Sequence, residues 1–195
     1  MGKLYVFMGK SASGKDTLYR EITQRHPKLH PVVTYTTRPR RAGETEGEEY
    51  YFVTEEKLWD MERAGQIVEC RCYTTIKGPW YYFTAADGQI DFERGDFCLI
   101  STLEAYEKIR SFYGVENVVP LYIEVPDFIR IERSLEREKK QPKPCVAEVC
   151  RRYLADEEDF SAPRLKEAGI TEAICNLDMD TAIRQIEEIL ERKKG

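Results

Sequence analysis

A chain of 195 residues, 42% hydrophobic and 33% charged, has the composition of a globular enzyme and room for one α/β core with a smaller appended element. Its formal net charge of −5 excludes the broad basic surface of a general nucleic-acid or membrane-surface binder. No apolar run reaches the roughly 18 residues of a membrane span and no signal-peptide pattern opens the chain, so a cytoplasmic location with reduced cysteines is expected.

In chain order, Lys3 to Met8 (KLYVFM) is an apolar run of strand formers that stops at Gly9, as a buried parallel strand does. From Lys15 a helix is predicted, with Leu18 and Ile22 four apart on one face and Pro27 as its limit. Val32–Thr36 and Tyr50–Val53 are strand candidates. Thr54 is placed to cap a helix through Ala64, with Glu55 and Glu56 at its positive end and Gly65 at its exit. Ile67–Tyr73 and Trp80–Phe83 read as short strands joined by a loop containing Gly78-Pro79. Phe97–Ile100 is another buried strand, followed by a helix over 104–112. Val118–Val125 is a third, ended by Pro126. Helices are expected from Asp127 toward Lys140 and from about Ala147 to Phe160, separated by a hinge or flap at Lys139–Pro144. Ala173–Cys175 is a last strand, and Asp180 is the expected cap of a final helix with an Ile183, Ile186, Leu190 stripe. Strands alternating with helices at both ends predict a parallel sheet with helices on both faces. The hairpin-like middle, about 34–90, interrupts that alternation and reads as an insert.

Gly9-Lys10-Ser11-Ala12-Ser13-Gly14-Lys15-Asp16-Thr17 matches G-x4-G-K between a strand and a helix. Glycines let backbone N–H groups turn toward an anion, the helix start adds its positive end, and the lysine neutralises β and γ oxygens of a nucleoside triphosphate. The position after the lysine, ordinarily Ser or Thr, is Asp16. Neither Cys70-x-Cys72 nor Cys145-x4-Cys150 has the C-x2-C spacing of a zinc ribbon, and His26 and His30 are remote in sequence.

A second anion site is expected between Thr34 and Tyr50, where Arg38, Arg40 and Arg41 fall within four residues and could fork a phosphate or carboxylate. Together the two segments resemble the guanylate kinase family. Its pattern T-T-R-x-P-R-x-G-E-x-x-G-x-x-Y aligns without a gap over Thr36 to Tyr50, although Pro39 sits one place early. The resemblance implies an α/β P-loop kinase fold: a central parallel sheet flanked by helices (core about 1–33, 91–128 and 156–195), an inserted acceptor-binding subdomain (about 34–90) and a helical lid (about 129–155). It implies transfer of the γ-phosphate of ATP to GMP with Mg²⁺. Arg38, Arg41, Tyr50 and Tyr82 would hold the acceptor phosphate, while Thr34 and Glu69 would contact guanine. Trp80 to Thr84 resembles N-Y-Y-G-T/S, which places Thr84 in the same site. Lys15 and the loop from Gly9 to Thr17 would bind ATP, with Asn176 near its adenine. Arg152, with Arg137 or Arg151, would close from the lid onto the transferred phosphate.

The chain also departs from the family. D-I-D at the end of the central strand aligns with Ser101-Thr102-Leu103, which puts a leucine where an aspartate helps recognise guanine. Asp16 and Ser101 together carry one carboxylate and one hydroxyl, with their usual positions exchanged, and are the expected metal-side pair. A same-family kinase acting on ribose 1,5-bisphosphate shares G-K-D but tends to lack the R-x-x-R…Y clamp. A non-catalytic phosphopeptide-binding module of this type usually loses the phosphate loop. Expected partners are small molecules only, with no nucleic acid and no membrane, on a monomer or homodimer.

Overall fold

The computed structural model describes residues 2–75 and 78–192. Strand β1 (Leu4–Met8) is fully buried on both faces. Leu4, Val6 and Met8 feed one core, and Tyr5 and Phe7 feed a second on the opposite side. A strand buried this way requires parallel neighbours and a helix layer above and below. Helix α1 (Lys15–Arg25) supplies Leu18 and Ile22 to the second core. The chain then forms β2 (Leu29–Pro31), an edge strand of the same sheet.

Leaving the core sheet, the chain builds a separate four-stranded sheet. Its strands are β3 (Tyr35–Thr36), β4 (Tyr51–Phe52), β5 (Ile67–Thr75) and β6 (Gly78–Ala85), in the order β4-β3-β6-β5. Helix α2 (Glu55–Arg63) covers one face, burying Leu58 and Met61 against Phe83 and Ala85. Thr54 caps it as expected, accepting from the Lys57 amide, and Gly65 leaves it at φ 69°.

The chain returns to the core at β7 (Asp96–Ile100), then α3 (Leu103–Tyr113) and β8 (Val118–Glu124). Helices α4 (Asp127–Lys139) and α5 (Val146–Asp159) pack on each other, and a short α6 (Ala162–Glu167) follows. Strand β9 (Ile174–Cys175) and α7 (Met179–Arg192) close the fold. The core sheet is parallel throughout, in the order β2-β7-β1-β8-β9. Its first strand is central, and the carboxyl ends of β1, β7 and β8 meet where a ligand crevice forms in such sheets. Among the described residues no helix is long and apolar enough to cross a membrane.

Three sequence expectations need correction. Of the strand predicted over Val32–Thr36 only Tyr35–Thr36 is strand; residues 32–34 carry the chain from β2, which ends at Pro31 in the core sheet, to β3 in the second sheet. Gly78 and Pro79 are not loop but the start of β6, opposite Thr75 and Thr74; Ile76 and Lys77 lie outside the described residues. The cap of the last helix is Asp178, whose carboxylate accepts from the Thr181 amide at 2.9 Å, while Asp180 lies in the first turn. Leu103, at the position where the family carries an aspartate, is 1% exposed in the core, and the preceding Thr102 is contacted by Arg71 of the second sheet.

Candidate active site

The loop after β1 folds over the carboxyl end of the core sheet. Gly9 is required there because a Cβ would fall 2.4 Å from the Ile123 carbonyl oxygen. Ala12 takes φ 63°, a left-handed conformation costing about 1–2 kcal/mol that turns successive amides the same way, as an anion nest does. Gly14 (φ 85°) is the N-cap of α1 and has no side chain to offer, so the first amides of the helix are free for a ligand. Lys15 lies half-buried beside them, 3.5 Å from the exposed carboxylate of Asp16.

The loop is braced from outside. The side-chain amide of Asn176, itself 7% exposed, donates to the Ser13 carbonyl at 2.8 Å. The resemblance placed Asn176 near adenine; the structure shows its amide engaged on the loop itself. Arg133 of α4 approaches the same place, with Nη1 4.0 Å from the position a Gly14 Cβ would occupy and Nη2 donating to the Asn176 carbonyl at 3.5 Å. On the other flank, Asp156 of α5 accepts from the Ser11 amide at 2.8 Å, and Glu157 pairs with Lys10 at 2.7 Å. Arg130, 2% exposed, joins both carboxylates and stacks over Tyr153. Arg130 and Arg133 were not singled out in the sequence. Their spacing of three with Ile131 and Leu135 around them was the available signal, since it sets both on the loop-facing side of α4.

The lid arginines are held on their own helix. Glu148 accepts from Arg151 Nε at 2.7 Å and from Arg152 Nε at 2.8 Å. Those two guanidinium groups hold its carboxyl down at about 2. Arg137 and Arg152 line one crevice with Ser11, Arg130 and Asp156, so two of the three predicted arginines share a cleft with the phosphate loop, and Arg151 does not line it.

The second sheet carries the residues expected at the other anion site. Arg38 is 4% exposed, forked onto Glu44 at 2.7 and 2.5 Å, and lies over the rings of Tyr50 and Phe52. The bond from Arg38 draws the Glu44 carboxyl down to about 2. Tyr50 and Tyr82 meet edge to face with centroids 5.7 Å apart. Burial pushes the Tyr50 hydroxyl up, with Tyr82 adding to the shift; Arg38 and Arg71 oppose it. Arg41 is exposed, and its amide donates to Glu44 at 2.7 Å. Thr34 is half-buried, its carbonyl accepting from the Tyr51 amide.

On the β5–β6 hairpin, Glu69 sits opposite Thr84 and Arg71 opposite Tyr82. Thr84 donates to Glu69 Oε1 at 2.8 Å, and Arg71 Nε donates to Glu69 Oε2 at 3.0 Å. Arg71 Nη1 reaches the Thr102 hydroxyl at 3.3 Å, joining the second sheet to the start of α3. Arg71 and Thr102 were also missed, although alternation along β5 puts Arg71 on the face of Glu69. Ser101 closes β7, 8% exposed, with its amide on the Phe7 carbonyl. A separate cavity of about 820 Å³ lies beside β8 and α7, and none of the predicted site residues lines it.

Comparison with known proteins agrees with this arrangement. The family model described as guanylate kinase matches residues 1–193. A guanylate kinase of Nostoc sp. is 29% identical over 189 residues, covering 97% of this chain and 89% of that protein. One from Thermosynechococcus vestitus is 48% identical over 68 residues, covering 35% of this chain and 36% of the other. The crystal structure of guanylate kinase from Anaplasma phagocytophilum superposes with a TM-score of 0.63 at 22% identity, over 98% of this chain and 86% of that one. With a family match over nearly its whole length, on a parallel core sheet with a glycine-rich loop after its central strand, the chain belongs to the guanylate kinase family.

Proposed function

We propose that this protein transfers the γ-phosphoryl group of ATP to GMP, giving ADP and GDP. The carrying observation is that Arg71 of the second sheet donates to the Thr102 hydroxyl at 3.3 Å, next to Ser101, whose amide donates to the carbonyl of Phe7 on the strand that leads into the Gly9–Thr17 loop. This contact supports a reading in which both phosphate sites lie at the same end of the core sheet. Phosphoryl transfer depends on positioning and charge neutralisation more than on covalent chemistry. Lys15 and the loop amides hold the donor phosphates. Arg38, Arg41, Tyr50 and Tyr82 present the acceptor phosphate, Thr34, Glu69 and Thr84 hold the base, and residues 34–90 act as the acceptor-binding unit. No general base is required, because the acceptor is already an anion.

Residues 129–155 act as a lid. Arg152 and Arg137, with Arg151 released from Glu148, swing toward the transferred group and exclude water, which otherwise competes as acceptor. Arg133, already beside Gly14, is the lid cation that needs the least movement.

A divalent cation fits the donor side. Mg²⁺ is commonly held by one or two carboxylates plus substrate phosphates and water, and no pre-built cage is needed. Asp16 supplies an exposed carboxylate at the loop, and Ser101 supplies a hydroxyl at the end of β7. When bound, the ion offsets charge on the β and γ phosphate oxygens. The testing experiment is an ADP-release assay across GMP, dGMP, AMP, IMP and ribose 1,5-bisphosphate. Turnover highest with GMP is expected; turnover confined to the ribose bisphosphate overturns the reading.

A further inference from the structure

The base-recognition end of the acceptor site holds a buried cation as well as a buried anion. Glu69 has a fully buried side chain, and Arg71 beside it is 14% exposed. A carboxylate has about four lone-pair sites. Thr84 and Arg71 Nη2 occupy those of Oε1, and Arg71 Nε occupies one on Oε2. One acceptor position therefore remains on Glu69. Of the five N–H donors of Arg71, three are used, on Glu69 twice and on Thr102 once. Two remain.

The pair is complementary to a base edge that carries a donor next to an acceptor. Guanine and hypoxanthine carry one, with N1–H beside O6. Adenine presents the reverse, an acceptor N1 beside a 6-amino donor. Arginine is also the residue best shaped to donate to the O6 edge of guanine. A structural ion pair explains the contacts less well. Buried pairs are weak sources of stability, and this one stands in the acceptor cleft among Tyr50, Tyr73 and Tyr82.

We propose that Arg71 is a specificity-determining residue that donates to O6 of the acceptor base while Glu69 accepts from N1–H. The pair thus reads 6-oxopurines and rejects 6-aminopurines. Thr102, one residue before the position where the family carries an aspartate, accepts from Arg71 Nη1 and helps fix the guanidinium. This deepens the GMP reading and rests on it.

The experiment compares GMP with 6-thio-GMP, in which sulfur, a weaker acceptor, replaces O6, in wild type, Arg71→Lys and Arg71→Met. In the wild type the sulfur substitution should lower kcat/KM about ten- to hundredfold, the worth of a hydrogen bond to a charged donor. Arg71→Lys keeps a donor and should retain most of that penalty, whereas Arg71→Met should reduce it to within about twofold. An equal penalty in all three proteins overturns the proposal and leaves Arg71 as a brace for Glu69. A wild type that does not use GMP defeats the underlying reading instead, a different result. Should Arg71→Met fail to fold, the wild-type complex with GMP decides: an Arg71 nitrogen within hydrogen-bonding reach of O6 supports the proposal, and Arg71 away from O6 overturns it.

Discussion

Asn176 and Gly14 share one space: the Asn176 amide nitrogen that donates to the Ser13 carbonyl lies 2.4 Å from where a Gly14 Cβ would be. The loop therefore owes its shape to a residue more than a hundred and fifty positions away. Asn176→Ala should raise the KM for ATP about fivefold, the worth of one neutral buried hydrogen bond, and leave the acceptor KM nearly unchanged. Gly14→Ala should do far more damage, since it combines that clash with a left-handed φ. Steady-state kinetics with each substrate varied in turn checks both. Equal changes in the two KM values would count against a local role for Asn176.

Among the described residues Lys15 is ion-paired with Asp16 alone, at 3.5 Å, and is not part of either core cluster of the main sheet. Lys15→Ala should leave the melting temperature within about 2 °C, because substitutions away from packing and buried networks rarely cost more than about 0.5 kcal/mol. Turnover should fall at least about a thousandfold, as when a group stabilising developing charge is removed. Calorimetry and a coupled ADP assay on one preparation separate the two effects, and turnover near wild type defeats the phosphate-loop mechanism.

The Arg38–Glu44 fork makes a prediction about pH. Arg38 draws the Glu44 carboxyl below its ordinary value of 4.5, to about 2. A depressed folded-state value adds stability that is fully present above about 4.5 and lost as pH falls toward about 2. The stability difference between wild type and Glu44→Gln should shrink across that window and stay constant above it. Denaturant melts at several pH values measure it. Separately, Arg38→Lys should raise the acceptor KM about tenfold with the ATP KM unchanged, because lysine keeps the charge but loses the planar fork.

Asp16 is an exposed residue in the first turn of α1, and the N-cap of that helix is Gly14, so the Asp16 carboxylate does not serve as its cap. If it and Ser101 are the metal-side pair, Asp16→Ser should sharply weaken Mg²⁺ dependence by removing the carboxylate. Ser101→Asp should impair it by crowding two carboxylates. The double exchange should recover much of the turnover. Additive losses in a Mg²⁺ titration of the four proteins would rule out the pairing.

Much of the fold was legible because its strongest elements are locally consistent. LYVFM could only be a doubly buried strand, and Leu18 with Ile22 fixed the face of α1. Thr54 announced α2 through a cap that the structure contains. What escaped depended on tertiary choices. Val32–Thr36 has uniform strand character, and nothing local records that the chain changes sheets within it. Asp178 and Asp180 are equally good caps on paper; the geometry of the preceding turn selects the first. In the site, Lys15 and Arg38 sat in contiguous motifs. Arg71, Thr102, Arg130 and Arg133 sit in none, and each acquires its meaning from a partner distant in sequence, such as Asp156 for Arg130.

Glu44 on Arg38, Glu148 on Arg151 and Arg152, and Glu157 on Lys10 give the resting protein a set of carboxylates already tethered to its anion-facing cations. A free anion has to compete with a carboxylate already tethered at each position. A small ion such as inorganic phosphate can address one such pair at a time, while a nucleotide with two phosphate sites and a base edge addresses several together. Selectivity against the abundant phosphate of a cell then follows from the tethering, and inorganic phosphate should be a poor competitive inhibitor of both substrates. Removing one tethered carboxylate, as in Glu44→Gln, should make it a better one against the acceptor alone.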